Sequence, residues 1–131
     1  MRYLSDFDVR ANLGAGRDIE QLLAEGHAMG QRVIRYLSIE RKAPGAWTVR
    51  LCEIFDNGGP DFVDVGEFEA VDPDLPFGKE WMFEVVEDAL RFATEHLGAR
   101  PGHYVNQGMV QAEYEDRYYP SMTTASSEGR G

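Results

Sequence analysis

The chain has 131 residues, 43% of them apolar and 11% aromatic, which is enough for one domain with a buried core and unlike a disordered chain. Its formal charge is −10 and its pI is near 4.6, which argues against nucleic acid or an anionic membrane as partner, because both would be repelled. A single cysteine, Cys52, excludes an internal disulfide and a Cys-x-x-Cys zinc pair, and no apolar run approaches the roughly 20 residues of a membrane span. The first residues, Met1 to Asp8, carry charges where a signal peptide needs its apolar stretch, so the expectation is a cytoplasmic protein.

Leu13-Gly14-Ala15-Gly16 leads into a helix predicted over residues 18–28. Asp18 with Gln21 three residues on has the form of a capping box, Ile19, Leu22 and Leu23 begin an apolar stripe, and Gly30 closes it. From Val33 to Arg41 the period changes to two, with Leu37 and Ile39 on one side and Ile34 and Tyr36 on the other. After the turn Ala43-Pro44-Gly45, the residues Trp47, Val49, Leu51 and Phe55 point one way, and Thr48, Arg50 and Asp56 point the other. The two runs predict a β-hairpin.

A second turn, Asp56-Asn57-Gly58-Gly59-Pro60, leads to a third predicted strand from Phe62 to Val71. Its apolar phase slips between Val65 and Phe68, so a β-bulge is expected at Gly66, which keeps Glu67 and Glu69 out of the core. The linker Asp72 to Gly78 contains two prolines. Beyond it, Met82, Val86, Ala89, Leu90, Ala93 and Leu97 recur at helical spacing, predicting a helix over residues 80–97 that stops at Gly98. In Asn106 to Tyr119 the steps of four between Val110, Tyr114 and Tyr118 favour a helix, although a fourth strand is compatible with the same segment. Residues 120–131 read as a disordered tail.

The expected fold is α+β: a single domain over residues 1–119 with a three-stranded or four-stranded antiparallel meander. The 80–97 helix packs on one face, and the 18–28 helix covers an edge or the same face.

No catalytic, cofactor-binding or metal-ligating set is predicted. Gly14-Ala15-Gly16 lacks the third glycine and the βαβ unit of a dinucleotide site. His27, His96 and His103 are the only histidines, and no two lie three or four residues apart. Cys52 lies mid-strand with no family signature around it, and the carboxylates of residues 56–74 do not match a calcium loop.

The informative feature is where the charge lies. Residues 53–95 hold thirteen acids against Lys79 and Arg91, a net of −11, so the rest of the chain sums to +1. Asp56, Asp61, Asp64, Glu67, Glu69, Asp72 and Asp74 come from one strand and its flanking turns and form the candidate partner-binding strip. In character, though in no residue that can be carried over, the chain is similar to small inhibitor and immunity proteins that neutralise a cognate toxin. The leading expectation is therefore an acidic module for a basic protein partner. Two alternatives are a self-associating adaptor, such as a homodimer using an open strand edge or Trp81, Phe83 and Phe92, and a small enzyme or small-molecule binder with a pocket between sheet and helices.

Overall fold

In the computed structural model, residues 3–56, 68–74 and 78–119 are described. The elements in chain order are α1 (Asp6–Gly14), β1 (Ile19–Leu22), β2 (Gly26–Ala28), β3 (Gln31–Ala43), β4 (Ala46–Phe55), β5 (Lys79–Phe83), α2 (Val86–Leu97), a 3-10 turn at Pro101–His103, β6 (Val105–Asn106) and α3 (Val110–Tyr118). The fold is α+β, built on an open, antiparallel sheet of six strands in the order β5-β4-β3-β1-β6, with β2 also paired to β3.

The expected hairpin is the centre of this sheet, as β3 and β4, and its two faces explain the other elements. Alternate residues of a strand point to opposite faces. One face presents Ile19, Leu37, Ile39, Val49 and Leu51 to Val9 and Leu13 of α1 and to Ala89, Ala93 and Leu97 of α2. The other presents Leu22, Ile34 and Ile54 to Phe68 and to Val110 and Tyr114 of α3.

Burial on both faces is why residues 18–28 are not the expected helix. They form β1 and β2. A strand covered on both sides is apolar at successive positions, and Ile19, Leu22 and Leu23 mimic a helical stripe for that reason. Gln21 is no capping residue: it is buried, and its side chain donates to the carbonyl of Arg100 (3.0 Å) and accepts from the same residue's amide (2.7 Å). The N-terminal helix lies earlier, where Ser5 caps α1 by accepting the Asp8 amide at 3.0 Å.

The predicted 80–97 helix is shortened at its start. Residues 79–83 form β5, with Trp81 and Phe83 turned to the core and Met82 68% exposed. The helix begins at Val86 and ends, as expected, at Gly98 with φ 82°. The C-terminal segment supplies both expected elements, the short strand β6 and the helix α3. Of the third strand, Phe68 is buried, Glu69 is exposed, and Ala70 bridges to Ile54 of β4, while the predicted bulge at Gly66 lies outside the described residues. So does the predicted tail, 120–131.

Candidate interaction surface

The outer edge of β4 gathers the charged residues. Its C-terminal half receives residues 69–71, through the amide of Phe55 on the carbonyl of Glu69 (2.8 Å) and the amide of Val71 on that of Glu53 (3.0 Å). Its N-terminal half receives β5 in the register Leu51 with Lys79 through Trp47 with Phe83. Gly78 opens β5 at φ 88°, against the Leu51 carbonyl with which any Cβ would collide. A recess of about 80 Å³ lined by Leu51, Glu53, Asp72, Gly78 and Lys79 joins the two stretches.

Three members of the predicted strip, Glu69, Asp72 and Asp74, are exposed, with Asp72 beside Gly78 and Lys79 at the start of β5 and Glu69 farther along, at Phe55 of β4. Asp61, Asp64 and Glu67 lie outside the described residues. Asp56 has a different role. Its side chain is only 9% exposed, one carboxylate oxygen accepts the Tyr114 hydroxyl (2.5 Å), and the other pairs with Arg32 (2.8 Å). Arg32 also lies 4.3 Å over the ring of Tyr118, whose hydroxyl donates to Glu25 at 2.7 Å. Together these contacts fasten α3 to the sheet. Glu84, which falls before the helix, and the α2 acids Glu87, Asp88 and Glu95 are exposed; Glu87 pairs with Arg10 (2.8 Å) and Asp88 with Arg91 (3.1 Å).

A second polar region lies on the half of the sheet that α3 leaves uncovered. Glu20, Ser38, Arg50 and Glu80 form a row straight across β1, β3, β4 and β5. Arg50 pairs with Glu80 (2.6 Å) and Glu40 (2.8 Å), and Glu40 also takes Lys42 (2.8 Å). Hydrogen bonding to Arg50 lowers the Glu80 pKa. Burial pushes the Glu20 carboxyl up, against the hydrogen bond it accepts from the Gly108 amide (2.9 Å). Burial, helped by the charge of Glu40, does the same to Asp18. On the next rung Tyr36 and Cys52 are opposite each other, and burial raises both. Cys52 is therefore held as a thiol, the form that is poor at nucleophilic attack. None of this row was legible beforehand, since its members are 12 or more residues apart and only register brings them together.

Between α1, α2 and the 3-10 turn lies a cleft of about 280 Å³ walled by Val9, Leu90, Pro101 and Tyr104, with Arg10, Glu87 and Arg91 at its rim. It is the place a small-molecule reading would use. Trp81 and Phe83, expected with Phe92 as a self-association patch, each tilt against the Phe92 ring beside the core, with centroids 4.9 and 5.3 Å from it. Among the described residues, no three His, Cys, Asp or Glu side chains are grouped as a metal would require, and no helix is long and apolar enough to cross a membrane. Comparison with protein-family models, curated proteins and solved structures found no match to this chain.

Proposed function

We propose that the protein is a binding module that captures a basic protein partner on the outer edge of β4 and β5, in the manner of an inhibitor or immunity protein that neutralises a toxin. The observation that supports this reading is the concentration of like charge. The described residues 68–74 and 78–84 carry Glu69, Asp72, Asp74, Glu80 and Glu84 against Lys79, five acids to one base and a net of −4. Such crowding costs self-repulsion in the folded domain, and what it offers in return is capture of an oppositely charged partner, faster by about tenfold or more at low salt. A toxin that attacks nucleic acid carries a basic cleft, to which this edge would present carboxylates in place of phosphates. Salt dependence tests the reading. The association rate with the protein that co-purifies should fall by about tenfold or more between low and high salt. A rate independent of salt would remove charge from the recognition.

A further inference from the structure

Hydrogen-bond directions along β4 fix which way β5 faces. Phe55 and Glu53 use their backbone groups toward residues 69 and 71, whereas the amide of Asp56 donates the other way, to Arg32 of β3 (3.0 Å). Odd-numbered residues of β4 therefore turn their backbone groups to the outer edge, and even-numbered ones turn theirs to β3. The pairing of β3 with β4 is regular from Phe55 to Trp47, its one register shift falling between Arg41 and Ala43, so the same parity holds at Leu51, Val49 and Trp47. The closeness of Gly78 to the Leu51 carbonyl agrees with it.

Lys79, Trp81 and Phe83 face those residues and direct their backbone groups at β4. Glu80 and Met82 turn theirs outward, and these find no partner among the described residues. Two N–H and two C=O groups are thus presented in strand geometry, on a strand anchored from behind by Trp81 and Phe83. An edge of this kind is a template for a further strand.

We propose that β5 is a docking edge to which a basic, extended segment of the partner adds as a seventh strand. This rests on the acidic-edge reading above and says how the partner is held. Charge selects the occupant. Strands pair about 4.8 Å apart, well inside a screening length of about 8 Å at physiological salt, so a second copy would bring a net −4 against a net −4. Arg50 pairs with Glu80, and the surplus stays negative with that acid set aside. A strand with Lys or Arg at alternate positions is attracted where a second copy is repelled.

The test uses the full chain and a peptide of alternating lysine and valine about ten residues long. Without peptide, the Glu80 and Met82 amides exchange quickly with solvent; with saturating peptide at low salt, they should slow by about tenfold or more. Met82→Pro removes one outward N–H and leaves the β4 ladder whole, because proline is tolerated where an edge amide faces solvent. It should weaken peptide binding by about tenfold, while Met82→Ala binds much as wild type does. If Met82→Pro fails to fold, exchange in the wild type still decides. Peptide binding that leaves both amides exchanging as before overturns strand addition and spares the charge reading. Protection that grows with protein concentration in the absence of peptide overturns it in favour of a second copy. No peptide binding at low salt overturns both.

Discussion

The two faces of the sheet are buried in different ways. On the first, two helices cover the strands, and Ile19, Leu37, Ile39 and Val49 are all fully enclosed. On the second, α3 covers Leu22, Ile34 and Ile54 and stops, leaving a charged row from Glu20 to Glu80 half in solvent. The first face holds the domain together through apolar area removed from water. The second adds directed polar contacts to the apolar packing of α3, and leaves Glu20 in a setting that disfavours its charge. Stability and surface chemistry are thus divided between faces, and substitutions should separate them.

The largest effect belongs to the first face. Leu37→Ala, at a fully enclosed site, should cost about 2–5 kcal/mol in chemical denaturation. A loss under about 1 kcal/mol would mean that the helices do not pack there as described. On the second face, Asp56→Ala takes the buried carboxylate from Arg32, which keeps Glu25 at 3.7 Å, and from the Tyr114 hydroxyl, and should cost about 2 kcal/mol. Tyr114→Phe leaves Asp56 its pairing with Arg32 and should cost less, about 1 kcal/mol. Equal losses would show that the ion pair with Arg32 contributes nothing.

The smallest effect carries the sharpest pH signature. Burial raises the folded-state pKa of Glu20 above its ordinary 4.5, so folding favours the protonated acid. The stability this contributes is present below about pH 4.5 and is lost as pH rises through the higher folded value. Glu20→Gln keeps an oxygen for the Gly108 amide and cannot ionise. It should therefore be more stable than wild type at pH 7, by about 1 kcal/mol or less, and the gain should vanish in acid. A gain that persists unchanged at low pH would assign it to packing.

How far these features can be read from residues alone depends on range. The β3–β4 hairpin follows from strict alternation around Ala43-Pro44-Gly45, which is local information. The α+β class follows from that hairpin and the stripe of α2. Residues 18–28 misled because a strand covered on both faces loses its alternation, and β5 was hidden because Met82 falls in phase with the helical stripe. Ser5 with Asp8 three residues on is the local signal for α1. The acidity of residues 53–95 is evident in sequence, because charge is summed without knowing the fold. That Asp56 leaves the strip is not, because its partners, Arg32 and Tyr114, lie 24 and 58 residues away.

The central claim is that recognition belongs to the β4–β5 edge rather than to negative charge in general. Two reversals of equal size separate these: Asp72→Lys beside β5 and Glu115→Lys on α3. Association rates with the co-purifying partner, taken at low salt, should fall several-fold for Asp72→Lys, by about tenfold at most, and stay near wild type for Glu115→Lys. Equal slowing by the two variants would contradict the account and reduce the acidic edge to one part of a uniformly charged surface.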